Sequence, residues 1–272
     1  SCVPATPFET SGAILKAKDY DEIIKDKHIL GLGELMDFVG TVNRDKDIMD
    51  KIKLAKNNDM VIDGHAPMLS GKALDDYVLA GVNTDHECST VEEMQEKIQR
   101  GMYIQLREGT AAKNLEELLK GVTPYNISRC FFCTDDRHPE DLLKDGSVDN
   151  NVRKAIKLGM EPLNALKMAT INPVECYELE KLGAIAPGYK ADFFIFEDLE
   201  DIQAKEVFLS GEKIAENGKT IVDFPQKLSS KVLSKMKVNE VSSKDLNLKL
   251  NKNKVNVIQM QKDSLLTKKV VR

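Results

Sequence analysis

The sequence predicts an α/β fold, a partial (β/α)8 TIM-type barrel followed by a small β-unit. Three observations predict it. Short apolar runs recur along the first half, each ends in an ionisable residue, and each is followed by a segment of helical periodicity. The runs are HILGLGE ending at Glu34, DMVIDGH ending at His65, and GVNTDHE reaching His86 and Glu87; MYIQLREG brings Arg107 and Glu108, and RCFFCTDD brings Asp135 and Asp136. The markers Glu34, His65, His86, Glu108 and Asp135 follow one another at gaps of 31, 21, 22 and 27 residues. Such gaps accommodate a strand, a loop and a crossover helix.

The intervening segments read as helices. Ile48, Met49 and Ile52, then Val91, Met94 and Ile98, then Leu115, Leu118 and Leu119 recur at helical spacing, and these stripes are read as core faces. Thr90 with Glu93 makes a capping box at the start of the second helix. Parallel strands followed by helices form either an open doubly wound sheet or a barrel. The open sheet concentrates its chemistry at one switch point. Here every strand delivers a polar residue at its carboxyl end, which is the habit of a barrel. SCVPATP reads as the end of a sixth strand. The expectation is therefore an arc of about strands 3–8, with the front missing and strand edges exposed.

Beyond the last unit the texture changes. Helical stretches around Val152 to Ile156 and Leu163 to Ala169 lead into LGAIAPGYKADFFIFED, a Gly/Pro turn and a strand. KEVFLSGEKIAENGKTIV then reads as strands joined at Gly211-Glu212 and Asn217-Gly218 turns. The divisions expected are 1–181 for the barrel, 182–224 for the small β-unit and 225–272 for a further segment. That last segment carries 12 basic and 3 acidic residues in a chain of net charge −5. Its KVNVIQMQKDSLLTKKVV alternates as strands do, so it is read as a folded surface rather than a nucleic-acid arm.

Composition narrows the function classes. Trp is absent and aromatics make up 6% of the chain, which supplies few platforms for stacking on nucleic-acid bases. No apolar run approaches the roughly 18 residues of a membrane span. The five cysteines are scattered and odd in number, which suits a reducing, cytoplasmic setting better than a disulfide framework. Cys130 and Cys133 lie three apart within one strand, on opposite faces, and are read as structural. Ser70-Gly71-Lys72 lacks the glycine spacing of a phosphate loop, and GLGE lacks the third glycine of a dinucleotide fingerprint. The zinc-deaminase pattern H-x-E with P-C-x-x-C is absent as well.

The strand ends carry the chemistry. Two histidines, several carboxylates and an arginine at one end of a barrel suit a divalent metal held by imidazole and carboxylate; Mn2+, Fe2+ and Zn2+ are all admissible. A lone strand-end histidine is usually structural. Two of the chain's four, at equivalent ends of successive units, favour ligands instead. His28 opens a strand and belongs to the opposite face. His138 lies beyond the last strand, where it lines the pocket or caps a loop.

The segments SCVPATPFETSGA, GLGE, IDGH, DHE, REG, CTDDRHP and LGAIAPGYKADFF together resemble the bacterial adenine deaminases of the amidohydrolase superfamily. The resemblance runs from Ser1 to about Phe224, and residues 225–272 are similar to the opening of that family's C-terminal domain. It implies metal-dependent hydrolytic deamination of adenine to hypoxanthine and ammonia by a metal-bound hydroxide, within purine salvage. The cofactor implied is Mn2+ or Fe2+, dinuclear in the intact enzyme. Position by position, Glu34 becomes the carboxylate bridging two ions, His65 and His86 ligands of one, and Asp135 a ligand of the other that also moves a proton. Arg107, Glu108 and Asp136 become candidates for holding the adenine ring. The family's H-x-H pair on the first strand has no counterpart in this sequence, so the chain is expected to be an internal fragment. Two alternatives remain: a dihydroorotase- or hydantoinase-like hydrolase of cyclic amides, and a non-catalytic remnant. No nucleic-acid or membrane partner is expected, and self-association into a homo-oligomer is left open.

Overall fold

The computed structural model describes residues 11–223, 229–230, 239–262 and 264–272. The SCVPATP segment, expected as a strand end, lies outside the described residues. Five parallel strands organise the first half: β1 (Gly31–Leu35), β2 (Val61–Gly64), β3 (Thr84–Asp85), β4 (Tyr103–Arg107) and β5 (Cys130–Cys133). β1 pairs with β2, and β3 with β4 and then β5. Between β2 and β3 the Asn83 N–H donates to the Ile62 carbonyl at 3.1 Å, and the Gly64 N–H donates to Thr84 Oγ1 at 3.0 Å. This close approach requires glycine, since a Cβ at Gly64 would collide with the Thr84 carbonyl oxygen. The described strands thus lie in chain order with no reversal, and the switch point of a doubly wound sheet is not found among them.

The strands are shorter than the apolar runs suggest. The first starts at Gly31 rather than His28, because Asp26 accepts from the His28 backbone at 2.9 Å and meets its ring at 2.8 Å, holding that residue in an exposed turn. The third is two residues long, since the Asp85 carboxylate takes up the Ala66 N–H of the loop after β2 and the Glu87 N–H of its own loop in place of a ladder.

Helices cover one face of the strands: α1 (Ala17–Tyr20), α2 (Phe38–Val42), α3 (Lys46–Lys56), α4 (Gly71–Ala80), α5 (Val91–Gln99), α6 (Leu115–Leu119), α7 (Pro139–Asp145), α8 (Val148–Lys157), α9 (Pro162–Ala169) and α10 (Ile171–Cys176). Local chemistry sets their ends. The Asp45 carboxylate accepts from the Asp47 and Ile48 N–H groups to start α3, Glu161 does the same for Leu163 and Asn164 ahead of α9, and Gly81 closes α4 in the left-handed region. The Thr90 hydroxyl caps α5 as its half of a capping box, but the Glu93 carboxylate reaches the Ser89 N–H instead of its own cap residue.

Strand parity divides core from site. On β4, Ile104 and Leu106 are fully buried against the helices, while Gln105 and Arg107 face the other way. The first strand breaks parity: Leu32 and Leu35, three apart, both enter the core, and the register shifts between them. Such an irregularity re-aims side chains at strand ends, and Glu34 lies within it. Two apolar clusters result. Ile48, Ile52, Leu74 and Tyr77 close over β1 and β2, and Met94, Leu115, Leu118, Val152 and Met168 close over β4 and β5. Each fully buried aliphatic chain contributes about 1.5–3 kcal/mol. Cys130 sits among these residues and Cys176 is buried on α10; burial pushes both thiols up to about 12, which fits a structural role.

A four-stranded antiparallel sheet follows, in the order β6 (Phe193–Ile195), β7 (Glu206–Leu209), β8 (Glu212–Glu216), β9 (Lys219–Thr220). The first tight turn centres on Ser210-Gly211, one residue earlier than its expected place. Both residues have positive φ, 52° and 84°, the conformation a two-residue hairpin demands, and Glu212 opens the next strand. Asn217-Gly218 forms the second turn as expected, again with both φ positive. Phe194, Phe196 and Ile202 carry this unit onto the second cluster. β10 (Asn256–Gln261) and β11 (Ser264–Val271) form an antiparallel hairpin, in line with the alternation of the basic segment. Among the described residues no helix is long and apolar enough to cross a membrane.

Candidate metal centre

The ends of β1, β2 and β3 bring three donor atoms together. Glu34 Oε2 lies 2.7 Å from His86 Nε2 and 3.4 Å from His65 Nδ1, and the two ring nitrogens are 3.4 Å apart. Two atoms each about 2.1 Å from a common ion stand ~3.0–3.4 Å apart at tetrahedral angles or at right angles. The observed separations are close to that range, and a carboxylate with two imidazoles is the donor chemistry such an ion takes. The residues present fit a divalent metal.

The electrostatics agree. Burial works to raise the Glu34 carboxyl, but hydrogen bonds and charge from His65 and His86 outweigh it and hold the group well below the usual range. Burial likewise disfavours the charged His86 ring, yet Glu34 pushes it up to about 9. Backbone contacts hold both histidines. The His65 N–H donates to the Tyr77 hydroxyl at 3.1 Å, which in turn donates to the Leu35 carbonyl at 3.2 Å. The His86 carbonyl accepts from Asn114 Nδ2 at 3.0 Å.

A second group adjoins the first. His86, Glu87 and Asp135 also bring donor atoms within 4.8 Å of one another. Glu87 Oε1 lies 3.6 Å from His86 Nε2 and 3.7 Å from His65 Nδ1. Arg107 Nη1 bridges this group, donating to Glu87 and, at 2.8 Å, to Asp135 Oδ2. Its Nε is buried with no hydrogen-bond partner among the described residues. Asp135 reaches Arg107 from a left-handed backbone, φ 49°, a conformation aspartate tolerates better than most residues.

Of the residues singled out from the sequence, Glu34, His65, His86, Arg107 and Asp135 converge. Glu108 and Asp136 do not. Glu108 follows Arg107 and so points to the opposite side, where it pairs with Lys154 of α8 at 2.8 Å. Asp136 is exposed, and its backbone carbonyl accepts from the Thr110 N–H. His138 is an exposed N-cap whose N–H donates to Thr110 Oγ1. Sequence reasoning gave no role to Glu87, although it stands beside His86 in DHE. It also passed over Asp63, which accepts from Thr84 Oγ1 and, at 3.0 Å, from Gln105 Nε2 on the same interior face. Burial raises the Asp63 carboxyl.

The description of the amidohydrolase family matches residues 1–219. The chain belongs to that family. It is 49% identical over its full length to an adenine deaminase of Clostridium acetobutylicum, covering 48% of that protein. It is 46% identical over 99% of its length to an adenine deaminase 2 of Carboxydothermus hydrogenoformans, covering 47% of it. The chain therefore spans about half the length of the curated relatives it matches. Among solved structures, a β-aspartyl dipeptidase of Fervidobacterium islandicum AW-1 superposes with a TM-score of 0.56 at 19% identity, over 82% of this chain and 64% of that one. An enamidase gives 0.55 at 16% identity, over 77% and 62%. At those identities the likeness concerns the fold alone, and it places this amidohydrolase chain among mixed α/β, barrel-type architectures.

Proposed function

We propose that this chain carries the metal centre and the proton-transferring carboxylate of an adenine deaminase, which hydrolyses adenine to hypoxanthine and ammonia. The observation that carries the reading is the convergence of Glu34, His65 and His86 donor atoms within 4.8 Å. Similarity to adenine deaminases along the whole chain supplies the substrate. In this reading β1 to β5 are an arc of a (β/α)8 barrel lying within residues 1–181; residues 182–224 form the small β-unit and 225–272 begin a further domain.

His65, His86 and Glu34 would hold Mn2+ or Fe2+, and Asp135 with Glu34 would be the residues available to a second ion. Such an ion, when bound, would supply Lewis acidity and lower the pKa of water. The protein groups do the rest. Asp135 accepts the proton of the attacking water and returns one to the departing amine at C6. Arg107 fixes the Asp135 carboxylate and is the residue proposed to contact the purine, through the buried Nε that has no partner among the described residues. The ion pair with Lys154 gives Glu108 a supporting role instead.

The test is metal uptake by the 272-residue chain from Mn2+ medium, read by elemental analysis, followed by a substrate comparison. Bound Mn2+ that is lost in His65→Ala is the expected result for the chain, and in a full-length protein containing it hypoxanthine is formed from adenine and its formation is abolished by Asp135→Asn. Mn2+ retained in His65→Ala sinks the ligand assignment. Turnover of dihydroorotate or a hydantoin in preference to adenine sinks the substrate.

A further inference from the structure

Lys97 lies on α5 and its ammonium is buried without exposed surface, as is the carboxylate of Asp85 3.0 Å away. Burying such a pair costs several kcal/mol in desolvation, and an apolar pair of similar volume packs as well or better. Its contacts explain what the charged pair adds. Asp85 Oδ1 accepts from the Ala66 N–H at 2.8 Å and Oδ2 from the Glu87 N–H at 3.2 Å. Lys97 Nζ donates to the Ala66 carbonyl at 2.7 Å and to Glu93 Oε1 at 2.7 Å. Glu93 in turn accepts from the Met68 N–H at 2.7 Å and the Ser89 N–H at 2.9 Å.

Among the described residues, these three side chains therefore grip two loops. One loop begins at His65 and is held at Ala66 and Met68; the other begins at His86 and is held at Glu87 and Ser89. Ala66 is held on both sides of its backbone, by Asp85 at its N–H and by Lys97 at its C=O. Asp85, Cys88 and Glu93 have the look of a second cation site. The Lys97 ammonium already fills it, with all three of its donors spent on Ala66, Asp85 and Glu93.

We propose that Asp85, Lys97 and Glu93 are positioning residues that set the separation of His65 and His86, a role that rests on reading those histidines as metal ligands. None of the three belongs to the Glu34–His65–His86 group, so each acts through the loop it holds. Outer partners of metal ligands typically change affinity by about 10–100-fold when removed.

The experiment compares the 272-residue chain with Asp85→Leu/Lys97→Met and Asp85→Asn/Lys97→Met. Removing both charges of the fully buried pair leaves neither of those two ions alone, and Glu93, which is partly exposed, keeps the Met68 and Ser89 N–H groups as donors, so both double variants are expected to fold. Amide hydrogen exchange is read on the metal-free proteins, and Mn2+ affinity by titration. In the Leu/Met variant the Ala66 and Glu87 amides exchange at least about tenfold faster, while Val207 and Ile214 of the small sheet are unchanged. Its Mn2+ affinity falls about tenfold or more. The Asn/Met variant keeps a neutral acceptor, so protection at Ala66 and much of the affinity return.

Wild-type exchange at Ala66 and Glu87 in the folded Leu/Met variant overturns the proposal. So does accelerated exchange with unchanged Mn2+ affinity, which would mean that the loops are held to no consequence for the ligands. A wild-type chain that takes up no Mn2+ overturns the metal reading and the ligand-setting role together. Even then, the exchange data on metal-free protein report separately whether the three residues hold the loops.

Discussion

The strand ends at β1 to β3 and those at β4 to β5 balance their charge differently. In the first half, Glu34 meets no lysine or arginine among the described residues; its partners are two imidazoles, of which it pushes the His86 ring up to about 9. In the second half, Arg107 already stands against Asp135, and it also reaches across to Glu87, the carboxylate that follows β3. The first half is a donor set still short of positive charge, and the second supplies its own. The difference teaches where an ion gains most. It gains where donors converge unneutralised, and less where a guanidinium must first give up its partners.

The largest effect expected from that contrast is on metal affinity. His86→Ala or Glu34→Ala removes one of three converging donors, and the Mn2+ dissociation constant measured by calorimetric titration should rise at least about hundredfold, roughly 2.7 kcal/mol. His28→Ala, exposed and paired with Asp26, should leave it unchanged. Equal losses in both would mean that binding is not localised at β1 to β3.

The second half should respond in stability instead. Arg107→Ala leaves Glu87 as a buried carboxylate without its cation, and urea unfolding should show a loss of about 3 kcal/mol. Glu87→Gln in the same chain should recover a substantial part of it, because the uncompensated charge goes too. A loss under about 1 kcal/mol would place Arg107 among solvated pairs rather than buried ones.

A smaller change probes the support of the first half. Tyr77→Phe removes the hydroxyl that accepts from the His65 N–H and donates to the Leu35 carbonyl, linking the ends of β1 and β2. Buried groups left without partners cost about 1–2 kcal/mol. The chain should lose that much stability in urea, with Mn2+ affinity weakened less than in His86→Ala. Affinity lost with stability intact would instead place Tyr77 at the ion.

What the sequence made legible follows the same division. His65 and His86 stand out because each closes an apolar run, and strand ends of successive βα units share one rim. Glu108 misleads because it sits beside Arg107, and only the parity of a placed strand sends neighbours to opposite faces. Lys97 was within reach. It stands three residues after Met94 on the apolar stripe of α5, and a charge on a buried face calls for a buried counter-ion. Asn114 was not within reach. Its side chain joins Arg107, His86 and Cys88, which are 7, 28 and 26 residues away on other elements, and no local pattern encodes that. The small sheet was legible down to its turns, apart from the one-residue shift at Ser210-Gly211.

The smallest expected effect decides between neighbours that the sequence alone cannot separate. Asp135 and Asp136 are adjacent carboxylates after β5, and a resemblance is all that ranks them. The backbone separates them. Both residues are exposed, but the positive φ of Asp135 turns its carboxylate back to Arg107, whereas no described residue pairs with the Asp136 carboxylate. Asp136→Asn should therefore change unfolding free energy by no more than about 0.5 kcal/mol, the ordinary range for a surface substitution. Mn2+ affinity should stay at the wild-type value. Asp135→Asn removes a charge-assisted hydrogen bond to Arg107 and should cost more than its neighbour in both measurements. Should Asp136→Asn instead be the variant that loses metal or stability, the left-handed turn at Asp135 does not aim the catalytic carboxylate, and the two roles must be exchanged.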